Sequence, residues 1–273
     1  MGTVMKLSVW SSYYIDISPE EMVLEFEKHG FGNCELSDEH SIVLMERGDP
    51  AVVGTEFRKF AEAHGLDFSQ GHLLLRARIC EEESRNEVLR QLDLFRAVGV
   101  KNAVLHCQSG IEGLGFEEIF DRNVQAIRIL ADHVKNDGIT ICLENLTGPL
   151  TGTADALVAL IEATGRENVG ICLDTGHLNL CNDRDQAKFI RRAGSHLKAL
   201  HLADNDGSGD QHILPYARGS VNFQEVLTEV KAVGYEGIYN LEIPGERRAP
   251  LPIRAMKLDY IRSVFEYLDQ ITE

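Results

Sequence analysis

Two hydrophobic periods alternate along the chain. Short runs rich in β-branched residues, the mark of buried strands, are each followed by a longer segment with apolar residues every three or four positions, as in an amphipathic helix. The first run, 6–10, precedes a helix opened by Ser18-Pro19-Glu20-Glu21, where Ser18 caps and Pro19 takes the first helical position. Gly30 closes that helix. Runs at 32–36 and 67–72 precede helices at 51–63 and 81–98, closed by Gly65 and Gly99. Further runs at 102–106, 140–144, 169–174, 197–201 and 237–242 lead into helices at 117–135, 154–163, 185–193, 223–233 and 253–268. Eight βα units in 273 residues predict an α/β fold, a closed (β/α)8 TIM barrel forming a single domain over residues 1–273. An open doubly wound sheet is the alternative. No glycine-rich phosphate fingerprint follows the first run, so no nucleotide cofactor is expected.

Composition narrows the class. With 44% hydrophobic and 26% charged residues the chain has the material for a large core, which excludes disorder as its main state. The formal charge of −16 opposes a broad nucleic-acid surface, since such binding rests on neutralising phosphates with Lys and Arg; a local basic groove stays compatible. The longest apolar runs, such as 139–143, fall far short of the roughly 20 residues of a membrane span. The opening MGTVMKLSVWSSYY lacks the pattern of a secretory signal, so a cytoplasmic location is expected. Six cysteines are scattered singly without a CxxC pair, which predicts buried thiols rather than disulfides or a thiolate metal site. A homo-oligomer is compatible with the composition.

Barrel chemistry is built where strands end and βα loops begin. The residues ending the second to eighth runs are Glu35, His72, His106, Glu144, Asp174, His201 and Glu242, with His177 one short turn beyond Asp174. They recur about one βα unit apart and are expected to ring one mouth. Each has an ordinary structural explanation on its own. Glu144 and Glu242 close apolar runs and suit salt bridges, because a lone buried carboxylate is costly. Asp174 suits a turn or helix cap, while His106 and His201 suit buried histidines bonded to backbone carbonyls. Together, however, two Glu, an Asp and a His from four strands supply one divalent cation with oxygen and nitrogen ligands. That mixed shell accommodates Mn²⁺, Mg²⁺, Co²⁺ or Zn²⁺. Asp204, Asp210 and His212 form a second constellation in the long loop after strand seven. The DQH sequence places Asp210 and His212 on one side of an extended segment; a solvated Asp- and Gly-rich loop is the alternative reading.

These motifs resemble the xylose isomerase-like TIM barrel superfamily, which contains sugar and sugar-phosphate isomerases and epimerases as well as metal-dependent abasic-site endonucleases. The resemblance runs along essentially the whole chain. It is carried by LENLTG around Glu144, GICLDTGHLNL around Asp174 and His177, LKALHLADND around His201, DQH at Asp210 to His212 and LEI at Glu242. It implies one divalent metal, commonly Mn²⁺, on Glu144, Asp174, His201 and Glu242, with Glu144 and Glu242 also exchanging protons with substrate. The endonuclease branch implies more zinc: His72 and His106 would join Glu144 at one ion, and His177, Asp210 and His212 would hold another. The loops ISPEE, LSDEHS and NDGSGD lack the basic residues that clamp a bent duplex, and only IPGERR is clearly basic.

After DQH the chain departs from the superfamily's usual PGxG turn and following Asp. It reads LPYARGSVNF, with Tyr216 for the first glycine and Asn222 for the Asp, so a reshaped loop is expected. Arg218 in that loop is a candidate substrate contact, as is His177, whereas Arg247 and Arg248 read as solvated charges. Trp10 and Phe116 are candidate walls. The leading expectation is a metal-dependent isomerase or epimerase of a small sugar or sugar phosphate, passing through an enediolate with Glu144 and Glu242 as acid and base. A zinc-dependent abasic-site endonuclease and a metal-binding barrel without catalysis are the alternatives, and a dehydratase would use the same ligands.

Overall fold

The computed structural model describes residues 5–272; the first four residues of the N-terminal stretch and residue 273 lie outside that range. Eight parallel strands follow one another around a closed barrel in chain order. They are β1 (Lys6–Trp10), β2 (Asn33–Leu36), β3 (Asp67–His72), β4 (Asn102–Leu105), β5 (Thr140–Glu144), β6 (Val169–Asp174), β7 (Leu197–Leu202) and β8 (Ile238–Leu241), with β8 pairing back onto β1.

The helices wrap this barrel: α1 (Pro19–Lys28), α3 (Pro50–Ala63), α4 (Glu82–Val98), α5 (Phe116–His133), α6 (Ala154–Thr164), α8 (Gln186–Ala193), α9 (Phe223–Ala232) and α10 (Leu251–Ile271). Two more helices were not expected from the pattern, α2 (Asp38–Met45) and the single turn α7 (Thr175–Asn179). Ser18 does cap α1: its Oγ accepts from Glu21 N while the Glu21 carboxylate accepts from Ser18 N, a reciprocal capping box. Gly99 ends α4 in the left-handed conformation (φ +102°) that side chains resist.

Side chains alternate across a strand, so residues two apart share a face. The barrel interior can therefore be followed upward. Val104, Cys142, Cys172 and Ala199 form a small apolar cluster of their own, apart from the main core between strands and helices. Two residues further along their strands, β4 to β7 bring His106, Glu144, Asp174 and His201 to the mouth. Small side chains below and chemical ones above thus come from one alternation. All six cysteines are free thiols. Among the described residues no helix is long and apolar enough to cross a membrane.

Candidate metal centre at the barrel mouth

Glu144 lies at the centre of the mouth. Its Oε2 is 2.9 Å from His106 Nε2 and 3.3 Å from His72 Nε2, while its Oε1 is 3.1 Å from His177 Nδ1 and 3.3 Å from His201 Nδ1. His201 Nδ1 is also 3.0 Å from Glu242 Oε2. Glu144, Asp174, His201 and Glu242 are all buried, and each offers a ligand atom within 4.8 Å of the others. His72, His106 and Glu144 form a second group of the same compactness. His106 and Glu242 fall one residue past β4 and β8 rather than at their last residues, which leaves both on the mouth.

Of these contacts only those of Glu144 Oε2 with His72 and His106 are hydrogen bonds. Glu144 Oε1, Asp174 Oδ2, His177 Nδ1, His201 Nδ1 and Glu242 Oε2 are buried and lack hydrogen-bond partners. Buried polar atoms are rarely left unpaired, because the loss of water is then uncompensated. Atoms so close yet misaligned toward each other suit a cation placed among them. Tautomer logic leads to the same place. His72 Nδ1 donates to Leu73 O at 2.6 Å, and His212 Nδ1 donates to Glu242 O at 2.7 Å. Each neutral ring would then turn a lone pair at Nε2 toward a carboxylate oxygen, Glu144 Oε2 for His72 and Asp210 Oδ2 for His212. Either a proton or a metal ion must stand between them.

The charges agree with that geometry. Burial raises the Asp174 carboxyl to about 7 even though His177 opposes the shift, so its negative charge is poorly compensated. Burial would also raise Glu144 and Glu242, but the surrounding histidines together outweigh it, His201 with His106 and His177 at Glu144 and His201 with His212 at Glu242, and draw both down, Glu242 to about 2. The residues present therefore fit a divalent ion in ligand type, spacing and charge.

Other residues hold the frame. Asp174 does cap a helix: its Oδ1 accepts from His177 N at 2.5 Å, starting α7 and setting His177 over the mouth. Asn145, absent from the sequence reading, locks the Asp174 backbone through bonds of 2.7 and 2.9 Å. Asp210 sits between His177 Nε2 (3.3 Å) and His212 Nε2 (3.1 Å), as the DQH motif suggests. Asp204 departs from that constellation. Its Oδ1 accepts from Asn205 N and Val221 N and closes the base of the loop. Tyr216 keeps a left-handed backbone (φ +62°), the conformation a glycine takes most easily, and Asn222 caps α9 in place of an Asp.

Trp10 is half-buried, donates Nε1–H to Ile243 O at 3.0 Å and stacks nearly parallel to His212. Phe116 is exposed at the start of α5. Arg218 is also exposed and, among the described residues, shares no hydrogen bond with the mouth; its charge instead helps to lower the Asp206 carboxyl, mainly held down by Ser208. Arg247 and Arg248 are exposed as well.

A family model for the xylose isomerase-like TIM barrel matches residues 24–267. The chain belongs to this family. An uncharacterised protein of Methanocaldococcus jannaschii is 30% identical over 160 residues, covering 57% of this chain and 52% of its own length. A D-psicose 3-epimerase of Enterocloster bolteae is 24% identical over 204 residues, 68% of this chain and 65% of that protein. The matched stretch spans about half the length of the first curated relatives. Among solved structures, a D-psicose 3-epimerase crystallised with D-fructose superposes with a TM-score of 0.79 over 98% of this chain and 100% of that one. At 17% identity this is a likeness of fold.

Proposed function

We propose that this family member is a divalent-metal-dependent isomerase or epimerase of a small sugar or sugar phosphate. The observation that carries the reading is the buried set Glu144, Asp174, His201 and Glu242, whose ligand atoms crowd together with several left unpaired. The sugar 3-epimerase among its relatives supports the substrate class. Those four residues would hold the ion, which when bound supplies Lewis-acid stabilisation of charge developing on the substrate carbonyl oxygen.

The protein's own groups do the rest. Glu144 comes from β5 and Glu242 follows β8, so the two carboxylates reach the substrate from different parts of the ring. One takes the proton from the carbon beside the carbonyl, leaving a planar enediolate and a neutral carboxyl, and the other, protonated in turn by that carboxyl or by solvent, delivers a proton to that carbon or its neighbour. The histidines around them hold both carboxyls below the usual carboxylate range, so both rest ionised near neutral pH, and the one that has gained a proton is the acid for the return step. His177, held over the mouth by Asp174, orients a substrate hydroxyl, and Trp10 walls the pocket beside His212. The test is solvent exchange. Mn²⁺-loaded protein, incubated in D₂O with a panel of ketoses, their phosphates and an inosose, is expected to place deuterium beside the carbonyl of one of them. Loaded protein that exchanges none of them contradicts the proposal.

A second reading has its own observation: His72, His106 and Glu144 make a further compact ligand group, and Asp210 joins His177 to His212. Zinc ions there would suit phosphodiester hydrolysis. Incision of an oligonucleotide with one abasic site, together with three bound zinc ions, would favour this reading. The charge of −16 stands against it.

A further inference from the structure

Glu35 takes no part in the chemistry above, yet it is fully buried at the barrel mouth. It lies on β2, paired in register with Gln70 of β3. Its Oε2 is 2.9 Å from His201 Nε2 and also accepts from Gln70 Nε2. Gln70 Nε2 has a second acceptor, Leu200 O at 3.2 Å. With an acceptor on both sides, the Gln70 amide group can only be oriented with its NH₂ toward Glu35. That donor and the imidazole edge both converge on one carboxylate oxygen.

His201 is therefore held between carboxylates on both sides. Glu35 faces Nε2, while Glu144 Oε1 and Glu242 Oε2 face Nδ1 at 3.3 and 3.0 Å. A neutral imidazole carries one proton, and only the other nitrogen can offer a lone pair to a metal ion. Glu144 and Glu242 would draw that proton to Nδ1, the wrong side. We propose that Glu35 is a positioning residue that keeps the proton on Nε2 and so presents the Nδ1 lone pair to the candidate metal centre. Gln70 supports it by keeping the accepting oxygen aimed at His201. The inference rests on the metal reading above and adds to it a residue that touches neither ion nor substrate.

Outer carboxylates of this kind typically change metal affinity by about 10- to 100-fold when removed. Mn²⁺ affinity, measured by titration calorimetry, is expected to fall by roughly that factor in Glu35→Leu and by less in Glu35→Gln, whose carbonyl can still accept from Nε2–H. Gln70→Leu is expected to lie between wild type and Glu35→Leu. A second measurement needs no variant to fold: ¹⁵N NMR of the Zn²⁺-loaded wild type is expected to show His201 protonated at Nε2 and ligated through Nδ1. Wild type that binds no Mn²⁺ overturns the metal reading, and this inference with it. Wild type that binds Mn²⁺ while Glu35→Leu matches it within twofold, or a His201 ring protonated at Nδ1, overturns this inference alone.

Discussion

His201 and Asn240 face each other across β7 and β8, and Glu242, two residues beyond Asn240, brings Oε2 to 3.0 Å from His201 Nδ1. Two residues past the register partner, the chain thus returns to the same face and sets a carboxylate beside the histidine at the mouth. On the proposed mechanism, Glu242→Gln keeps the shape and removes the proton-transfer group. Turnover of the responsive sugar is expected to fall by about 10²- to 10⁴-fold, the usual contribution of a positioned acid or base. Mn²⁺ binding, measured by calorimetry, should survive at reduced affinity through Glu144, Asp174 and His201. A variant with full turnover would remove Glu242 from the chemistry.

Much of this site could be read from the chain because a barrel sends every strand end to one mouth. Once Glu144, Asp174, His201 and Glu242 were placed at strand ends, their convergence followed from topology. Other features depended on information that periodicity does not carry. The α7 turn has five residues, too few to show a helical period, and it forms because Asp174 caps it. In α2 the buried residues include Asp38, His40 and Ser41, so its inner face is masked by polarity. Glu35 was visible as a strand end, but its tie to His201 crosses the barrel interior from β2 to β7. Arg218 illustrates the converse: its place in the motif order suggested the mouth, whereas the loop turns its side chain to solvent.

The loop carrying Asp210 and His212 is held at its base by Asp204. That carboxylate accepts from Asn205 N at 2.8 Å and Val221 N at 2.9 Å, and a Cβ on Gly219 would overlap it. Gly219→Ala is expected to destabilise the protein by about 1–3 kcal/mol through overpacking. Asp204→Ala leaves the buried Asn205 amide and the half-buried Val221 amide unpaired and should cost about as much. Chemical denaturation measures the loss, and hydrogen exchange at residues 205–221 should quicken in both variants. Unchanged protection there would show that the loop is anchored elsewhere.

Arg254 fastens the neighbouring loops, those after β8 and β1. It is 2% exposed, grips Asp16 through both terminal nitrogens at 2.6 and 2.8 Å, and donates to Arg247 O and Ala249 O in the loop after β8. A lysine offers a point charge and cannot reproduce this fork. Arg254→Lys is expected to cost about 1.5–3 kcal/mol, the range for hydrogen bonds to charged groups. Asp16→Asn, at a partly solvated partner, should cost less. Equal denaturation midpoints for Arg254→Lys and wild type would contradict the fork's role.

The histidine-rich mouth should make the metal-free protein's stability turn over with pH. Burial alone would depress His72 and His212, but the Glu144 carboxylate outweighs it and lifts His72 to about 9, and Asp210 lifts His212 to about 10. Both values lie above the unfolded imidazole's, near 6.5. Their stabilisation is therefore complete below about pH 6.5 and is lost as pH rises through about 9 to 10. Glu242 acts in the other direction. Burial would raise it, His201 with His212 brings it down to about 2, and its contribution is present above about pH 4.3 and lost as pH falls through about 2. Asp174, raised by burial to about 7, loses its stabilisation as pH rises from about 4 to 7, so without metal the melting temperature should peak toward the acid end of the window, near about pH 5. A divalent ion competes with the protons on these imidazoles, so the stabilisation it adds should grow as pH rises from 6 toward 9. Thermal melts in EDTA and in saturating Mn²⁺ across that interval measure the difference directly. An increment that stays constant with pH would mean that the ion displaces no imidazole proton, and that it is held somewhere other than this mouth.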